Sequence, residues 1–216
     1  MNVRGFTASW LVASFLVLGA MTAAAQYAPA RLRSGEAPAP PPNLVGWGWI
    51  VGDETVITEG RLNTVGGGWG TPGLDTPFWV QVANTWSFEP ARDGDVKVES
   101  QVLIAACYRP ASLAMGPESA APNVQVALPK PDVPIPTTMV PPVYPPRAVG
   151  DGVVIVELAI DASGAISNAR VVRSAGGFDG AALDAARKWQ FRPAQRAGAA
   201  VPSYVYIVFG FRQPAT

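Results

Sequence analysis

The chain has 216 residues, enough for one or two small domains, and its 16 basic side chains balance 16 acidic ones. Zero net charge argues against phosphate-driven nucleic-acid binding and against a polybasic membrane patch. There is no histidine, which removes the commonest general base and metal ligand together, and a single cysteine, Cys107, which excludes an intramolecular disulfide.

Residues 1–25 read as a signal peptide or an N-terminal anchor. Arg4 precedes an apolar run through Trp10, Leu11, Phe15 and Leu18, and Ala23-Ala24-Ala25 supplies an A-x-A exit. Cleavage after Ala25 exports the chain to the periplasm. An uncleaved segment from Ala8 to Ala25 reaches the lower end of the membrane-spanning range and ties the chain to the inner membrane. Residues 26–43 hold Pro29, Pro38 and Pro40-Pro41-Pro42 among small residues. That composition predicts a Pro-rich linker, roughly 55 Å long if fully extended.

Residues 44–110 give weaker local signals. Gly66-Gly67-Gly68-Trp69-Gly70 lacks the Lys-Ser/Thr of a phosphate loop and reads as a flexible turn. Thr76 to Thr85 contains Pro77, Phe78, Trp79 and Val80 without an Ala-rich helical pattern. Residues 111–142 are a second Pro-rich linker, from Pro117 through Pro142, which disfavours helix and central strand alike. Two separately folded parts are therefore expected, 44–110 and 143–213.

In 143–213, Gly152 to Ile160 is a Val/Ile-rich strand, Asp161-Ala162-Ser163-Gly164 a turn, and Ala165 to Ser174 a second strand. Asp179 is a candidate N-cap. Phe178, Ala182, Leu183, Ala186 and Trp189 form an apolar helical stripe. Arg187 and Lys188 suit the helix C-terminus, and Pro193 ends the element. Ser203 to Arg212 alternates as a last strand. The order strand-strand-helix-strand predicts an α+β fold, a three-stranded antiparallel sheet packed with a helix.

These residues resemble the TonB C-terminal domain family. The resemblance is carried by Tyr144-Pro145, the Asp161–Gly164 turn, Val171-Val172-Arg173-Ser174 and Phe178-Asp179-Gly180-Ala181-Ala182-Leu183. Its most specific part is Trp189-Gln190-Phe191-Arg192-Pro193-Ala194, with Gly198, Val201-Pro202 and the last strand behind it. Trp86-Ser87-Phe88-Glu89-Pro90-Ala91-Arg92 echoes the Trp189 motif. Ser100, Val102, Ile104 and Arg109 continue the echo against Ser203, Val205, Ile207 and Arg212, and upstream Gly60 meets Gly164 and Asp75 meets Asp179. Residues 44–110 are thus a candidate degenerate repeat of the same domain.

A last strand at a sheet edge offers unpaired backbone groups to an extended peptide. The resemblance implies the same: such domains capture a peptide segment of an outer-membrane receptor and transmit force from an inner-membrane motor. Ser203, Tyr204, Val205, Tyr206, Ile207 and Val208, with Tyr144 and Pro145, are the expected partner-binding residues. The family's membrane helix carries a histidine for motor coupling, which this chain lacks. Two readings follow. One is a non-enzymatic envelope binding module associated with energy-coupled transport. The other is a soluble periplasmic scaffold that binds another envelope protein or the cell wall without energy transduction. No cofactor, metal or catalytic set is expected. Trp189 and Phe191 read as core, Cys107 as a small buried hydrophobe, and the pairs Asp53/Glu54 and Asp93/Asp95 as solvated turn carboxylates.

Overall fold

Runs rich in Val, Ile and Leu at Gly152–Ile160 and Ser203–Phe211 form the two longest strands of the C-terminal half, buried on both faces because each face of the sheet packs into an apolar core of its own. A computed structural model describes residues 27–40, 42, 44, 47–63, 68–110 and 132–214. The signal or anchor segment 1–25 and residues 111–131 of the second linker lie outside the described residues.

The elements in chain order are β1 (Tyr27–Ala28), β2 (Arg31–Ser34), β3 (Gly48–Val56), β4 (Leu62–Asn63), β5 (Trp69–Gly70), α1 (Asp75–Thr85), β6 (Ser87–Glu89), β7 (Ala91–Asp93), β8 (Val96–Val98) and β9 (Ser100–Tyr108). Then follow β10 (Ile135–Thr138), β11 (Gly152–Ile160), β12 (Ile166–Arg173), α2 (Asp179–Ala186), β13 (Gln190–Arg192), β14 (Ala194–Arg196), β15 (Ala199–Val201) and β16 (Ser203–Phe211). The class is α+β. Among the described residues the main sheet has seven strands rather than three: its order is β12-β11-β16-β9-β3-β4, with β5 also on β3. Every pairing in it is antiparallel except β16 with β9, which run parallel.

The two halves share much of their element order, with the short β4 and β5 standing where the second half has β12, and with no second-half counterpart of β1. Gly48 opens β3 as Gly152 opens β11, an offset of 104 residues, which drops to 103 where Ser100 opens β9 and Ser203 opens β16. β2 pairs β6 as β10 pairs β13, each with a register shift before the last pair. The Trp86 indole N–H donates to the Glu36 carbonyl and the Trp189 N–H to the Val140 carbonyl, both at 2.9 Å. Gly60 (φ +78°) and Gly164 (φ +88°) occupy matching turns, where a Cβ would come within 2.1 Å of the Phe88 carbonyl oxygen and 2.7 Å of that of Phe191.

The parallel β9–β16 seam inverts the faces. Phe78, Trp79 and Val82 of α1 pack with Ile50, Ile104, Tyr108 and, across the seam, Tyr206 and Val208. Ala182, Ala185 and Ala186 of α2 lie on the opposite face, with Val154, Val156, Ile207, Phe209 and Leu103. The halves are therefore related as by a two-fold axis along the strands, and the protein has two cores separated by one sheet. Each fully buried Ile, Leu, Val or Phe in them stabilises the fold by roughly 1.5–3 kcal/mol.

Several expectations are corrected here. The parts 44–110 and 143–213 are not separately sheeted, since β9 and β16 join them edge to edge. Residues 27–40 of the first linker are not an extended tether: β1 pairs β7, β2 pairs β6, and Ala30 is buried. Residues 132–142 of the second linker contain β10 and bury Val133 and Met139. Asp75–Thr85 is helical, with Pro77 in the first turn, where a missing N–H costs little. Asp179 is not the N-cap of α2 but its first residue. Its carboxylate accepts from the Ser174 hydroxyl at 2.6 Å and the Ala175 N–H at 3.0 Å, fixing the turn before the helix.

Candidate functional site

The expected peptide-binding strand, β16, lies in the middle of the sheet. It makes nine antiparallel pairs with β11, from Gly152↔Phe211 to Ile160↔Ser203, and six parallel pairs with β9, from Val205↔Leu103 to Gly210↔Tyr108. The backbone of Val205, Tyr206, Ile207 and Val208 is therefore enclosed on both sides, and these side chains are fully buried. Of the expected residues in β16, Ser203 and Tyr204 extend beyond the β9 ladder. Ser203 is buried and Tyr204 half-buried. The reason for the correction is the parallel seam: it fills the edge that a three-stranded sheet leaves open. Tyr144 and Pro145 lie at the other end of β16. The Tyr144 hydroxyl donates to the Gly150 carbonyl at 2.8 Å and its ring packs edge-on against Phe178, which contacts Phe211. The Pro145 carbonyl accepts from the Ala148 N–H at 3.1 Å. The structure thus does not gather the expected residues into one exposed site.

It gathers another group instead. Glu157 sits in the Val/Ile run of β11 and is 2% exposed. Its carboxylate accepts from Arg170 Nε at 2.6 Å and Nη2 at 2.9 Å, and from Arg31 Nη2 at 2.9 Å. The Tyr206 hydroxyl donates to it at 3.3 Å and accepts from the Leu32 N–H at 2.7 Å. Burial by itself would raise the Glu157 carboxyl, but the Arg170 and Arg31 guanidiniums outweigh it and hold the group below its ordinary value. Arg31 also lies 5.2 Å over the Tyr204 ring. One buried acid thus fastens the arm carrying β2 to the sheet of the other half. A lone Glu in an otherwise apolar strand run was the sequence signal for it. The Arg31 partner, 126 residues away, had none.

Beside this cluster, β2 and the outer strand β12 border a cleft of about 100 Å³, lined by Arg33, Ser34, Ile155, Arg170, Val172 and Arg173 among others. Among the described residues β12 pairs only with β11, which leaves its other edge open. Opposite it, among the described residues, the sheet ends in β4 and β5, two residues each.

The remaining candidates do not converge. Cys107 is buried, and burial pushes its thiol up to about 12. Glu54 is 2% exposed rather than solvated, and burial, with Asp53 next to it, raises its carboxyl to about 7. Asp93 pairs with Arg196 at 3.3 Å, while the Asp95 carbonyl accepts from Arg92 at 3.0 Å, so these acids do not face each other across a cleft. Trp189 and Phe191 are buried in the α2 core. Gly68 precedes the short β5 and Gly70 ends it, and Gly66 and Gly67 lie outside the described residues. Among the described residues, no three His, Cys, Asp or Glu side chains stand close enough to hold a metal ion, and no helix is long and apolar enough to cross a membrane.

Residues 140–212 match the model of the family described as Gram-negative bacterial TonB protein C-terminal, about a third of the chain. The match begins just after β10 and ends just after β16. No curated protein matches the chain.

Proposed function

We propose, for a chain whose residues 140–212 are a TonB C-terminal domain, that this is a periplasmic binding module that holds another envelope protein without transmitting force. The family is non-catalytic and transport-associated, which sets the coarse role. The observation that carries the finer reading is the position of β16. Its free edge is filled by β9 of the same chain, so a receptor peptide cannot add there unless six residue pairs separate. We read residues 44–110 as a degenerate copy of the matched domain. The shared element order, the paired tryptophan indoles and the paired glycine turns support that reading. On this view the second copy occupies the edge along which the family's partner would lie.

The second reading, transport-coupled capture of a receptor peptide on Ser203–Val208, is favoured by the family match and requires β9 to leave. Export through residues 1–25, or anchoring by them, belongs to both readings, and anchoring is what force transmission needs. A photo-cross-linking amino acid at Tyr204 and at tiled surface positions, in cells with and without a proton-motive force, separates them. Envelope adducts that survive collapse of the force support the holding module. An adduct at Tyr204 that forms only with the force establishes the transducer. A tiled surface that yields no envelope adduct sinks both.

A further inference from the structure

We propose that the cleft beside β12 binds an extended, acidic peptide segment, which adds to the sheet along the open edge of β12. This rests on the binding-module reading and names its surface and the chemistry of its partner.

Three observations converge on this surface. First, among the described residues one outer edge of the sheet is β12, eight residues long, and the other is made of β4 and β5, two residues each, so β12 offers the longer template for a partner. Second, a bulge re-aims the arginines of this edge. Arg170 and Arg173 are three apart, so in a regular strand their side chains would point to opposite faces. Here Arg173 pairs with Ile155 and Arg170 with Glu157, with Val172 as the extra residue, so both arginines share one face. Third, that face opens on the cleft, whose other wall is Arg33 of β2. Arg170 is already engaged by Glu157 at 2.6 Å. Arg33 and Arg173 are exposed, and among the described residues no carboxylate pairs with either.

Two uncompensated guanidiniums therefore stand beside a row of open backbone groups, over a floor that includes Ile155 and the half-buried Val172. An added strand turns alternate side chains to one face, about 7 Å apart. Acids at those positions meet Arg173 and Arg33, while the positions between face the α2 side, next to the half-buried Ala169 and Val171. The cations select the partner's charge, and the backbone edge selects its extended form.

The test uses the purified full chain and a fluorescent octapeptide alternating Glu with Val, read by anisotropy and by amide hydrogen exchange. Saturable binding with slowed exchange confined to β12 is expected. The double variant Arg33→Gln/Arg173→Gln should weaken it by roughly tenfold or more, and N-methylation of alternate peptide amides should abolish it. Equal binding of the Gln-for-Glu peptide overturns the role of charge. Equal binding of the N-methylated peptide, or the same protection by glutarate alone, shows a bare anion site and overturns strand addition. Protection at β16 in place of β12 would overturn the proposal and mean that β9 is displaced. Failure of every peptide to bind a folded chain that still gives envelope adducts sinks the cleft and leaves the binding-module reading standing.

Discussion

Glu157→Gln removes the charge that two guanidiniums share while keeping the side chain's size. Breaking a buried ion pair costs roughly 3–5 kcal/mol when the partner charge stays buried. Here the Arg31 and Arg170 side chains are 44% and 42% exposed, so both regain water once released. The glutamine also keeps one carbonyl as an acceptor. The expected net loss is about 2 kcal/mol, which for a chain of this size lowers Tm by about 4–8 °C. Guanidinium denaturation should show a lower midpoint at an unchanged slope. Because Arg31 sits on β2, hydrogen exchange should also speed up across β1 and β2 while α2 is unchanged. A loss below about 0.5 kcal/mol with unaltered exchange in β2 would refute the idea that this cluster fastens the arm. The wild-type pH dependence has a definite sign. The Glu157 carboxyl is held below its ordinary value in the fold, so its contribution is present above the unfolded-state pKa and is lost as pH falls through the depressed folded value.

Glu54 should behave in the opposite sense. Its folded pKa of about 7 lies above the unfolded value, so it costs stability as pH rises through 7, and Glu54→Gln should stabilise the protein at pH 8, on the order of 1–3 kcal/mol, with little effect at pH 4; a stability difference that does not vary with pH between 4 and 8 refutes this. Gly164→Ala forces a Cβ to within 2.7 Å of the Phe191 carbonyl oxygen at positive φ, so a loss of about 2 kcal/mol or more is expected by thermal denaturation, and Gly60→Ala should match it. Trp189→Phe leaves the Val140 carbonyl without its donor and opens a small void, for an expected loss of about 2 kcal/mol. A Trp189→Phe protein with wild-type stability would show that the indole hydrogen bond does not hold this segment to the α2 core.

The elements of the C-terminal half were legible because their signals are local: a Val/Ile run for β11, an Asp-x-Ser-Gly turn whose Asp161 carboxylate caps Ser163 at 2.8 Å, and alternation along β16. The neighbour of β16 was not legible. Nothing in Ser203–Phe211 distinguishes an edge strand from one flanked on both sides, and its partner Leu103–Tyr108 lies about a hundred residues upstream. Proline content misled in the same way. Pro38 and Pro40 are not tether but acceptors, their carbonyls taking the Tyr108 hydroxyl at 2.9 Å and Arg212 Nη2 at 3.0 Å, which costs proline nothing because only its N–H is missing. The cleft at β12 was hidden for a third reason. Its arginines share a face only through a bulge at Val172, a feature of pairing register rather than of residue spacing.

The parallel seam also orders events in time. A chain that emerges N-terminus first presents Ser100–Tyr108 before Ser203–Phe211 exists to pair with it, so β9 stands as a nine-residue edge, apolar from Val102 onward, while the intervening residues follow. Until β16 arrives, that edge can template pairing with any other extended segment, including the same edge of a second nascent chain. Closure of the seam therefore competes with aggregation, and the yield of correctly folded protein should depend on how quickly the C-terminal half follows.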